Sequence, residues 1–310
     1  MNWFYLLPGI ILGLVLGAND GASIFGPLVA VGSIRRKTAI LLSSLFVVIG
    51  AVLNGAGGMK TLGNLAVLDQ FQSSIAILAA SITVITLISL RLPGSVSQSV
   101  VGALVGVALI DGVTVKWHIL LKIVTIWIAT PLLAILISFL FYRILAVFFR
   151  HLRNIKIQDV MLRYMSIIAV CYSAYSLGAN NVANVAGPFL HSGLGYLLSG
   201  FIGGLCISIG ILGLSKRMTF VIGKSIILLD HFSSLVAAIS TATNVLTFSL
   251  IGVPVSATQS AIGTVIGAGI SRGERLSSRR TRTRIVLGLT VTPFLSAVVG
   301  VLLYILLRRG

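Results

Sequence analysis

A stretch of eleven residues, GANDGASIFGP at 17 to 27, returns at 178 to 188 as GANNVANVAGP, identical at six positions. PGSVSQSVVGALVG at 93 to 106 and PVSATQSAIGTVIG at 254 to 267 keep the same offset of 161 residues, as do Leu68-Asp69 and Leu229-Asp230. Three landmarks in one register mean a single structural unit written twice, and any fold for this chain must accommodate two copies of it.

Each copy reads as six apolar pieces. In the first half they lie at 3 to 18, 20 to 34, 38 to 56, 74 to 90, 95 to 110 and 117 to 142; the second repeats them near 162, 181, 196, 235, 256 and 285. Hydrophobic residues make up 57% of the 310 residues and charged ones 9%, against about 25% charged in soluble domains. A soluble fold is therefore excluded, and at about 20 apolar residues per span the chain is filled by membrane segments. The expected class is an all-α polytopic membrane protein. The apolar stretch at 3 to 18 lacks the basic flank of a signal peptide and is read as retained. Cys171 and Cys206 both sit in apolar segments, and the four histidines show no metal-ligand spacing. Gly223-Lys224-Ser225 resembles the end of a P-loop, but Met218 stands where the earlier glycine belongs, so no ATPase is encoded. No nucleophile and base pair suggests an enzyme.

The net charge of +17 comes from basic clusters between apolar stretches. That pattern reads as membrane orientation, not nucleic-acid binding. Residues 35 to 37 carry three basic side chains while their counterparts near His191 carry none; the loop at 111 to 116 carries one, while 272 to 284 carries six. The bias switches from loop to loop between the halves, so the repeats are expected to be inverted, which requires an odd number of crossings in each. Five crossings plus one re-entrant segment per half, the piece at 20 to 34 being re-entrant, place 18 of the 23 basic residues in the cytoplasm and both termini outside. The expected organisation is a first inverted repeat at 1–149, a basic cytoplasmic linker at 150–163 and a second inverted repeat at 164–310.

Inverted repeats with interruptions at matching positions point to alternating access, with a site at the repeat interface. Asp20 is the one carboxylate inside an apolar segment, which marks it as a functional candidate. Asn19, Asn180, Asn181 and Asn184 add amide groups that serve a cation through oxygen or an anion through nitrogen, or cap helices. Ser95, Ser97, Gln98 and Ser99, with their equivalents Ser256, Thr258, Gln259 and Ser260, follow a proline that can start a helix. Hydroxyls and free amides at a helix N-terminus suit an oxyanion, and the same residues also serve as glue between membrane helices. A passive anion channel would use the same donors.

At these residues the chain resembles the inorganic phosphate transporter (PiT) family, cation-coupled symporters with a duplicated GANDVANA-type signature in inverted repeats. The PGSVSQS and PVSATQS stretches resemble that family's PVSTTH-type segments. The resemblance implies symport of inorganic phosphate, or of sulfate as in a related branch, coupled to Na+ or H+, at the cell membrane. It implies an anion site at Ser95, Ser97, Gln98, Ser99, Ser256, Thr258, Gln259, Ser260, Asn19 and Asn180, and a cation site at Asp20, Asn19, Asn180, Asn181 and Asn184. No catalytic residue and no resident cofactor are expected. The partners are the transported anion and the lipid bilayer, with a homodimer left open and no nucleic acid. Asn181 replaces the family's second Asp, and Gln98 and Gln259 replace its usual His.

Overall fold

The computed structural model describes the backbone of residues 3–90, 92, 94–152, 154–222, 230–273 and 279–308, and within these the side chains of all but 3, 22–24, 192, 214–222 and 279–289. Arg91, Pro93, Arg153, the Gly223-Lys224-Ser225 stretch, Leu229, Glu274 and Arg275 lie outside the described residues.

The described elements are helical: α1 (Leu7–Ala30), α2 (Arg36–Asn54), α3 (Ala56–Gly63), α4 (Gln70–Ser89), α5 (Val96–Ile110), α6 (Trp117–His151), α7 (Ile155–Ala186), α8 (Tyr196–Ile222), α9 (His231–Leu250), α10 (Ala257–Ser271) and α11 (Arg279–Arg308). The duplication in the sequence is a duplication of elements. α9 and α10 begin and end 161 residues after α4 and α5. α7 with the 3-10 turn Gly187–Ser192 corresponds to α1, α8 to α2 with α3, and α11 to α6.

The repeated Leu-Asp landmark turns out to be a helix start. Asp69 has an extended backbone, and its carboxylate accepts from Gln72 N at 2.7 Å while Gln72 Oε1 accepts from Asp69 N at 2.8 Å. This capping box satisfies donors that would otherwise be orphaned at the head of α4. Asp230 accepts from Ser233 N at 2.6 Å at the head of α9.

The halves interlock reciprocally. α1 packs most extensively on α8 and α2 on α7; likewise α5 packs on α11 and α6 on α10. Each of these contacts has its exchanged partner, the pattern that a two-fold relation between halves would produce. Gly17 abuts the Ile207 carbonyl and Gly178 the Val47 carbonyl so closely that neither place admits a Cβ. Backbone-to-backbone approach of this kind is how membrane helices gain dispersion contact.

Two expectations are corrected. The GAN motifs do not interrupt their helices: α1 runs unbroken through Gly17 and Asp20, and α7 through Gly178 and Asn181. The pieces at 3 to 18 and 20 to 34 therefore form one helix, and the latter is not a re-entrant segment. Tight packing at the glycines outweighs their low helix propensity. Against the expected five crossings per half, eight helices among the described residues are long and apolar enough to span, four in each half. α5 and α10 have 15 residues, about 22 Å of helix against a hydrocarbon core of about 30 Å. Residues from Ile155 onward in the expected linker are already the first turns of α7.

The hairpins α4–α5 and α9–α10 lie inside the bundle. The spanning windows of α4 and α9 are 67% buried, whereas that of α6 is 17% buried. α6 therefore presents its apolar side outward, with Leu121, Ile128 and Leu132 exposed.

Candidate functional site

α1 and α7 meet at their GAN motifs. Asp20 and Asn181, equivalent positions 161 residues apart, touch directly, Asn181 Nδ2 donating to Asp20 Oδ2 at 2.9 Å. Equivalent positions of the two halves therefore meet directly at these side chains. Asp20 Oδ1 accepts from Asn19 Nδ2 at 2.8 Å. Asn181 Oδ1 accepts in turn from Asn180 Nδ2 at 2.7 Å and Asn184 Nδ2 at 3.4 Å.

The lattice extends to the two hairpins. Asn180 brackets the backbone of Val255, donating to its carbonyl at 2.8 Å and accepting from its N–H at 2.8 Å. Ser97 Oγ donates to that same carbonyl at 3.1 Å and accepts from Asn184 Nδ2 at 3.0 Å. One hydrogen-bonded network therefore joins α1, α7, the head of α5 and the strand of chain leading into α10. It holds six of the predicted site residues: Asn19, Asp20, Asn180, Asn181, Asn184 and Ser97.

The others sit around it in different roles. Ser95 and Ser256 are N-caps of α5 and α10, accepting from Gln98 N at 3.3 Å and Gln259 N at 3.2 Å. Ser99 Oγ donates back to Ser95 O, and Ser260 Oγ accepts from Asn244 Nδ2. Thr258 is half-buried and its hydroxyl has no hydrogen bond among the described residues. Gln98 and Gln259, equivalent across the repeat, are both buried with Oε1 unpartnered, as is Asn184 Oδ1.

These features set the chemistry. Asp20, 4% exposed, is the buried carboxylate among the described residues, and no ion pair described reaches it. A charge held that deep needs compensation from outside the network. Three unpartnered amide oxygens and a carboxylate are hard oxygen donors suited to an alkali or similar cation. The first N–H groups of α5 and α10 precede any intrahelical bond, and those that Ser95 and Ser256 do not cap are donors suited to an anion.

The sequence reading passed over Asn244, a buried amide on α9 whose Nδ2 reaches Thr130 O and Ser260 Oγ. An Asn in the middle of an apolar segment was the available signal. It also left unassigned Asp111, which accepts from Gln72 and, at 2.7 Å, from Arg308, tying α5 to α11.

Duplicated membrane helices around a buried polar centre, with short helices starting at it, define a multi-pass membrane transporter. Comparison with known proteins agrees. The profile of the phosphate transporter family matches residues 16–300, and the chain belongs to that family. It is 28% identical to the sulfate permease of Bacillus subtilis over 98% of this chain and 88% of that protein. It is 25% identical to a "Putative phosphate permease" of Methanocaldococcus jannaschii, the match covering 58% of each chain. The fold is shared with a solved structure described as the sodium-dependent phosphate transporter, with a TM-score of 0.84 over 98% of both chains at 22% identity.

Proposed function

We propose that this protein is a cation-coupled symporter of inorganic phosphate that works by alternating access about the α1–α7 interface. The observation that carries the reading is the central network, in which one buried carboxylate and unpartnered amide oxygens lie beside the open ends of α5 and α10. The cation binds at Asp20, and the anion is met by Thr258 and the N–H groups of the first turns of α5 and α10 that their caps leave open. The solved relative is described as sodium-dependent, which makes sodium the first cation to test.

The topology proposed with it has three crossings per half, by α1, α2 and α6 and by α7, α8 and α11. Each buried hairpin enters the membrane and returns to its own side. Three is odd, so the halves are inverted and both termini are outside. The basic residues at 35 to 37, 143 to 163, 216 to 224 and 272 to 284, 17 of the 23, then share the cytoplasmic face, as the positive-inside rule requires. If α4 and α9 crossed fully, the cluster at 143 to 163 would lie outside. Single cysteines near residues 36 and 280 are expected to label only from the cytoplasm, and those near 113 and 193 only from outside. Labelling of 36 and 193 from one side would remove the inverted arrangement.

Sulfate is the second reading, favoured by near full-length alignment to the sulfate permease. Phosphate at neutral pH has a proton to donate and sulfate has none, so a free acceptor aimed at the anion selects phosphate. Uptake of labelled phosphate and sulfate into proteoliposomes, with and without a sodium or proton gradient, decides. The expected result is phosphate accumulation above equilibrium with sodium inward. Sulfate-only accumulation would replace the substrate, and equal, gradient-independent flux would make the protein a channel.

A further inference from the structure

We infer that the basin where the α1–α2 turn meets the first turns of α7 and α9 binds the phosphate group of an anionic phospholipid. This basin is a cavity of about 500 Å³ lined by Ser33, Arg35, Asp159, Leu162, Arg163 and His231, among others. A second cleft of about 250 Å³ shares Ser33, Arg35 and Arg163 and continues to Thr38 and Ile167. The two arginines thus belong to both spaces, one on each wall.

Neither the Arg35 nor the Arg163 guanidinium makes a hydrogen bond or ion pair among the described residues, and neither does the Asp159 carboxylate. Two guanidinium groups against one carboxylate leave the basin positive. The wall is fixed: buried Ser33 is hydrogen-bonded through Oγ to His231 Nδ1 at 2.8 Å, which pins the α1–α2 turn to the head of α9. Gly32, with φ of 80°, makes the turn that brings Arg35 there.

Size and surroundings select the occupant. A phosphate ion alone would leave most of such a cavity to water, whereas a headgroup with its glycerol extends along it. Further along the same two helices apolar side chains are exposed: Leu41 and Leu45 of α2 are 63% and 57% exposed, and Ile168 of α7 is 66% exposed. Two guanidinium groups on helices that also expose apolar side chains match a phosphodiester and its acyl chains together. None of these side chains belongs to the central network, so the basin is a separate site.

Free inorganic phosphate offers the same charge, and the test separates the two sources. The full chain is placed in discs of phosphatidylcholine with a minor share of phosphatidylglycerol, and the lipids retained after extraction are identified by native mass spectrometry. The wild type is expected to retain phosphatidylglycerol in preference. Arg35→Gln with Arg163→Gln should lower that preference about thirtyfold, from the per-residue attraction of basic groups to anionic lipid. Arg35→Lys with Arg163→Lys should keep most of it, which separates charge from folding. Lys116→Gln with Lys122→Gln, on the other face, should keep it all. Unchanged preference in the Gln pair, or none in the wild type, overturns the inference. So does loss, in the Gln pair, of one bound labelled phosphate in discs of phosphatidylcholine alone with lipid retention unaltered, because the basin would then hold the soluble ion.

Discussion

Asp20→Asn is expected to lower gradient-driven anion uptake by roughly 10- to 100-fold, the range for losing an interaction of about 1.5 to 3 kcal/mol with a charged group. The carboxylate now accepts from Asn19 at one oxygen and from Asn181 at the other. An amide in its place has one oxygen, so one of those donors would face a second NH2, and the negative charge that holds a cation would be gone. Moving the charge to the equivalent position of the other half, as Asp20→Asn with Asn181→Asp, keeps the donor and acceptor count at that contact. Partial recovery of cation-dependent uptake is expected in this swapped variant. Both variants should be measured against sodium concentration and pH. Wild-type gradient-driven rates in Asp20→Asn would show that the cation is held elsewhere.

Gly178→Val is expected to destabilise the protein by about 3 kcal/mol or more, at the upper end for overpacking, since the new side chain must displace backbone and not a flexible neighbour. Gly178 lies against the Val47 carbonyl in the α2–α7 interface, and the related Gly17 against Ile207 in the α1–α8 interface. Gly213→Ala provides the contrast: that glycine is in α8 with open space around its Cα, so it should be neutral or slightly stabilising. Thermal unfolding in detergent with size-exclusion profiles distinguishes them. An unchanged midpoint for Gly178→Val would mean that the helices separate there without loss.

The repeat register made much of this architecture legible. A match in sequence at 93 to 106 and 254 to 267 became a match of α5 and α10 to the residue, because the caps Ser95 and Ser256 are themselves repeated. Asp20, Asn180 and Asn181 were also readable, since polar side chains in apolar segments are costly unless they are used. The continuity of α1 and α7 was not readable. Glycine and asparagine signal a break locally, and only the neighbouring backbone that each glycine fits against reverses that signal. The buried character of α4 and α9 was hidden as well, because a helix enclosed by protein and one facing lipid are equally apolar. Val255 could not be found from side-chain chemistry, for it enters the network through its peptide group.

The contact between Asp20 and Asn181 also bears on whether the halves are interchangeable. An assembly of two first halves would set two carboxylates against each other at that contact, a like-charge pair in a low-dielectric interior. Two second halves would meet there as amides and present no charge to a cation. One of each gives a donor facing an acceptor with a single negative charge, so this one pair of atoms makes the second half a complement of the first and not a substitute for it.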